Sequence, residues 1–90
     1  MNKKNYTRLM IELNDEEQKL IQEAELAKRW ALHRLEERIL TEHPFDYSIS
    51  DQIRFETISR IQNEYLSQLN KIKTEYEAQR QEIWKEWNND

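Results

Sequence analysis

Residues 50–87 read SDQIRFETISRIQNEYLSQLNKIKTEYEAQRQEIWKEW, without a glycine or a proline. Phe55, Ile58, Tyr65, Leu69, Ile72, Tyr76 and Ile83 are separated by steps of three, four and seven. This keeps them on one side of an α-helix. The spacing predicts one helix over about residues 49–88. A helix of that length must lie against something equally long.

The rest of the chain can supply it. The 90 residues include no Gly, one Pro and no Cys; 37% are hydrophobic and 36% charged. Hairpins and tight turns usually call on Gly, so its absence fits a chain that is nearly all helix. The apolar share is below the roughly 45–50% of ordinary globular domains. A chain this short and polar cannot close a large core, but long helices that each bury a stripe can live with it. We expect a single domain over residues 1–90.

The first thirteen residues allow two parses. Leu9, Ile11 and Leu13 alternate with Arg8, Met10 and Glu12 as in a strand, whereas Tyr6, Met10 and Leu13 carry helical spacing. Asn14-Asp15-Glu16-Glu17 also has the form of an N-cap followed by a capping-box Glu. Length favours a continuous helix over about residues 5–43, ended by the effect of Pro44 on His43. It matches the second helix, whereas a start at Asp15 would leave Ile83, Trp84 and Trp87 overhanging.

The expected fold is therefore all-α, an antiparallel hairpin of two long helices. Positions equidistant from the turn then meet. Leu35 falls opposite Ile58, Ala27 opposite Tyr65 or Leu66, and Tyr6, Leu9 and Leu13 opposite Trp87, Ile83 and Arg80. Ala24, Ala27 and Ala31 would let the axes approach closely. Ser48 and Asp51 have capping-box spacing at the start of the second helix, and Phe45 and Tyr47 are expected to plug the hairpin's end.

Both helices are more apolar than one partner requires. Leu20, Ala24, Ala27, Ala31 and Leu35 form one stripe on the first helix, with Ile21, Leu32 and Ile39 beside it and Leu26 and Trp30 further round. Ile61, Leu66, Trp84 and Trp87 lie off the main stripe of the second. A wide apolar arc contacts more than one neighbouring helix. We therefore expect completion to a four-helix arrangement by a second copy or by a partner.

Equipment for chemistry is sparse. His33 and Glu37 stand one helical turn apart as half of a metal site, but Trp30 and Leu40 occupy the places where a di-metal bundle needs Glu before His33 and His43. Without Gly no phosphate-cradling turn can be built. The adjacent pairs Glu16/Glu17 and Glu36/Glu37 point to different sides of a helix. These features argue against an enzyme, a metal, a cofactor or a small-molecule substrate.

The net charge of −4 is mixed along the whole length, without a basic block to follow a nucleic-acid backbone. No apolar run is long enough for a membrane span or a signal segment. The cytoplasm is the expected location.

The aromatic residues are the main candidates for function. Trp30, Trp84 and Trp87, with Ile61 and Leu66, are the candidate protein-interface residues, because Trp and Tyr often anchor interfaces. Trp84 follows Ile83 and is turned about 100° from it, out of a simple hairpin. Trp87 opposite Tyr6 serves equally as packing, and Trp30 with Arg34 as a local cation–π pair.

The segment Thr7-Arg8-Leu9-Met10-Ile11-Glu12-Leu13-Asn14-Asp15-Glu16-Glu17 resembles the opening of ribbon-helix-helix repressors and antitoxins. That resemblance implies a strand over residues 7–13 and DNA binding, although no turn splits the helix that would follow. In size, lack of Cys and layout the chain is also similar to the helical-hairpin companions of type VII secretion substrates, with His-Pro-Phe-Asp standing where their Trp-x-Gly turn belongs. The function expected from the residues themselves is protein binding through apolar helix faces, as a small adaptor, chaperone-like companion or inhibitor. The partner would be another protein, a second copy, or both.

Overall fold

The computed structural model describes residues 2–43 and 47–89, and they form two helices, α1 (Lys3–Glu42) and α2 (Tyr47–Asn89). These pack against each other as an antiparallel helical hairpin, with no strand among the described residues. Residues 7–13 are inside α1, so the strand implied by the ribbon-helix-helix resemblance is not formed. Pro44, Phe45 and the side chain of Tyr47, expected to make and plug the turn, lie outside the described residues.

The start of α1 is set by a residue that the cap signals did not single out. Asn2 Oδ1 accepts a hydrogen bond from the Asn5 backbone N–H at 2.8 Å, and the Asn2 carbonyl accepts the Tyr6 N–H at 3.0 Å. This is N-cap geometry, which satisfies donors that the first helical turn cannot. Asn14 is left mid-helix. Ser48 lies inside α2 instead of capping it, and Asp51 pairs with Arg54 at 3.1 Å instead of reaching back.

Contacts group the chain into two compact units, each with a stretch of both helices: Met1–Glu23 with Leu69–Asp90, and Ala24–Gln68. In the first, Leu13 and Tyr76 are buried, and Tyr6, Met10, Glu17, Ile21, Ile72, Arg80, Ile83 and Trp87 are half-buried. In the second, Ala24, Leu35, Ile39 and Ser50 are buried, and Lys28, Leu32, Arg54, Thr57, Ile61 and Tyr65 are half-buried. No large side chain is fully buried among the described residues.

The covered positions recur every eleven residues. Leu13, Ala24 and Leu35 are all buried, and Tyr6, Glu17, Lys28 and Ile39 follow the same interval. On α2 the series are Ser50, Ile61, Ile72 and Ile83, and Arg54, Tyr65, Tyr76 and Trp87. An eleven-residue repeat corresponds to about 3.67 residues per turn, close to the ~3.6 of an unstrained helix. The seven-residue repeat of a left-handed coiled coil would require under-winding.

The repeat shifts the expected stripes. Ala27 and Leu20 are exposed, and Lys28 takes the covered position beside them. Phe55 and Ile58, expected on the main stripe of α2, are exposed as well, at 74% and 36%. Ser50, Arg54 and Thr57 hold the covered positions in their place.

Candidate interaction surface

Four residues of α2 at eleven-residue intervals each reach across to α1. Within Ala24–Gln68, Arg54 donates from Nε and Nη2 to the two carboxylate oxygens of Glu36, at 2.8 and 3.2 Å. The Tyr65 hydroxyl donates to Glu25 at 3.4 Å, and Lys28 Nζ stands 4.4 Å from the centre of the Tyr65 ring. Within the other unit, the Tyr76 hydroxyl donates to Glu16 at 3.3 Å, and Trp87 stacks on Tyr6 with ring centres 5.0 Å apart. The expected register is therefore present at Tyr6–Trp87.

These contacts move ionisation in predictable directions. The hydrogen bond from Arg54, aided by its charge, holds the Glu36 carboxyl below its ordinary range against a smaller effect of burial, and the same bond raises Arg54. Glu77 is lowered by hydrogen bonds from Gln81 and then Arg80. Tyr65 and Tyr76 are raised, first by desolvation and then by the charges of Glu25 and Glu16.

The candidate interface residues separate into two groups. Trp87 is half-buried against Tyr6, and Ile61 is half-buried on the eleven-residue series, so both serve the hairpin itself. Trp30 is 54% exposed, Leu66 50% and Trp84 49%. Trp30 meets the edge of the His33 ring at 6.1 Å, and His33 Nε2 lies 3.0 Å from Glu37. Trp84 borders a groove of about 380 Å³ with Met10, Glu77, Arg80 and Gln81.

Three residues join Leu66 on one flank of Ala24–Gln68. Arg54 and Tyr65 cross to Glu36 and Glu25, which marks that flank. Phe55 and Leu66 each follow one residue later, turned about 100° outward, and Leu40 stands one turn after Glu36. Leu40 is 69% exposed, and Ile58 lies between Phe55 and Leu66 at the margin of the seam. Reading apolar residues as covered hid Phe55 and Ile58; the series Arg54, Tyr65, Tyr76, Trp87 would have revealed them.

The opposite flank of the same unit is different. A groove of about 450 Å³ runs between the helices, lined by Ala31, Arg34, Leu35 and Arg38 from α1 and by Thr57, Arg60, Ile61 and Glu64 from α2. Arg38 is tied to Glu42 at 3.1 Å. No group of three or more His, Cys, Asp or Glu that could hold a metal occurs among the described residues, and no helix is long and apolar enough to cross a membrane.

No protein-family model matches the chain, and no curated protein or solved structure is similar enough to count as a match.

Proposed function

We propose that this protein is a non-enzymatic helical binding module, acting as a small adaptor, chaperone-like companion or inhibitor in the cytoplasm. Its apolar flank takes up further helices, from a second copy or a larger protein partner, and so completes a four-helix arrangement. The observation that carries this reading is the grouping of Leu40, Phe55, Ile58 and Leu66 on one side of Ala24–Gln68, all exposed in the hairpin. Large apolar side chains gathered on one exposed flank are where an interaction site would form. Trp84 and Trp30 offer further anchors of the residue type that dominates binding energy.

Sedimentation and pull-down from the source cell test the reading, using wild type and the double variant Phe55→Gln, Leu66→Gln. Wild type should self-associate or capture a specific partner, and the variant should lose this with its helicity intact by circular dichroism. A wild-type chain that is monomeric and captures nothing defeats the proposal, as does a variant that associates as well as wild type.

A further inference from the structure

The groove edged by Arg34, Arg38 and Arg60 has no part in the apolar flank. Arg34 and Arg38 are one helical turn apart on α1, and Arg60 faces them from α2. Among the described residues neither Arg34 nor Arg60 has an ion-pair partner, whereas Arg54 and Arg80 are both engaged. Between the guanidinium groups the floor is formed by Ala31, Leu35, Thr57 and Ile61, which are small or apolar. Trp30 precedes Arg34 by one turn and is exposed, outside the lining of the groove.

We propose that this groove docks an acidic amphipathic helix of a different protein. Its carboxylates pair with Arg34 and Arg60, and its apolar side chains rest on the floor between them. This deepens the protein-binding reading, on which it rests, by giving the partner a chemistry.

Charge complementarity selects the occupant. Guanidinium groups match carboxylates as planar forks, and Arg with Trp is a frequent centre of binding energy. A nucleic acid fits poorly, because the two unpaired guanidinium groups are not continued by a basic track and the chain is net acidic at −4. A second copy, whose exposed Glu82 and Glu86 also stand one turn apart on a helix, is the rival occupant that the test below distinguishes.

The test uses the full chain and two labelled synthetic helical peptides, one with glutamates at i and i+4 beside a leucine face, the other with lysines in their place. Fluorescence anisotropy should show binding of the glutamate peptide only, weakening between about 50 and about 300 mM NaCl as screening grows. The pair Arg34→Ala, Arg60→Ala should weaken it about tenfold or more. The pair Arg34→Glu, Arg60→Glu should bind the lysine peptide instead, which keeps the test decisive if the alanine variant melts.

Four results would overturn the proposal: equal binding of both peptides, no binding by wild type, tighter binding of a duplex DNA oligonucleotide, or loss of self-association on replacing the arginines. The pair Phe55→Gln, Leu66→Gln should leave peptide binding unchanged, so a failure of the groove is distinct from a failure of the apolar flank.

Discussion

Arg80 of α2 donates from Nη2 to Glu17 of α1, and both side chains are largely covered, with 18% and 12% of their surface exposed. The same guanidinium reaches Asn14 from Nε at 3.1 Å and Glu77 from Nη1 at 3.2 Å, so each of its nitrogens has an acceptor. An apolar residue could have taken this covered place, yet the guanidinium is satisfied at every nitrogen.

Breaking that pair from one side should be costly. Arg80→Ala leaves Glu17 covered and without its cation, and we expect a loss of about 2–3 kcal/mol in urea unfolding, below the ~3–5 of fully buried pairs because water still reaches the edge. Replacing both residues, as Glu17→Leu with Arg80→Met, should restore stability to wild type or above. A double variant as unstable as the single one would mean that the pair is needed for the hairpin itself.

The two C-terminal tryptophans should behave oppositely. Trp87→Ala removes the stack on Tyr6 and should lower stability by about 1–2 kcal/mol, the range for a half-covered aromatic pair. Trp84→Ala should stay within about 0.5 kcal/mol, as for other exposed positions, while weakening association. Thermal melts followed by circular dichroism, with sedimentation of the same samples, separate the two. A Trp84 variant that melts early with association unchanged would put this side chain in the packing.

Helix length was legible because nothing in residues 3–42 or 47–89 breaks a helix, and two equal rods with one proline between them leave few other arrangements. The phase of the seam was not. Apolar identity suggested Phe55 and Ile58, whereas the covered positions near them belong to Ser50, Arg54 and Thr57. Arg54, Lys28 and Arg80 are half-buried, and long polar side chains can cover apolar surface with their stems, so counting apolar residues misplaces the face. Interval counting at eleven would have assigned Ile61 and Trp87 to the hairpin and left Leu66 and Trp84 outside, as found. The Asn2 cap was overshadowed by the stronger cap signal at residues 14–17. Which molecule covers the apolar flank is a property of two surfaces, only one of which this chain encodes.

Ser50 gives a local test of the reversal between the helices. It is buried, and its hydroxyl donates to the His43 carbonyl at 3.2 Å, occupying an acceptor that the end of α1 cannot satisfy within the helix. Ser50→Ala should therefore cost about 1 kcal/mol, the net worth of one covered hydrogen bond. Ser50→Val should cost more, because a bulkier β-branched side chain must enter the same tight place. Chemical unfolding of both variants checks the order; equal stability of wild type and Ser50→Ala would show the bond to be dispensable.

The directions of the ionisation shifts predict where stability falls with pH. Glu36 and Glu77 are held below their ordinary value of 4.5, so the unfolded chain takes up protons first as acid is added. Their contribution is present above about pH 4.5 and is lost as pH falls through the lower folded values. Because the Glu36–Arg54 pair is partly exposed, added salt should shrink that acid limb. Tyr65 and Tyr76 are raised above their ordinary value of 10.0, so the unfolded chain loses those protons first, and stability declines as pH climbs from there through the folded values. Melting temperatures taken from about pH 3 to about pH 11 should form a plateau with a fall at each end. Arg54→Gln should flatten the acid side, and the pair Tyr65→Phe, Tyr76→Phe the alkaline side. An alkaline fall of undiminished size in the phenylalanine variant would show that the two phenols do not carry it.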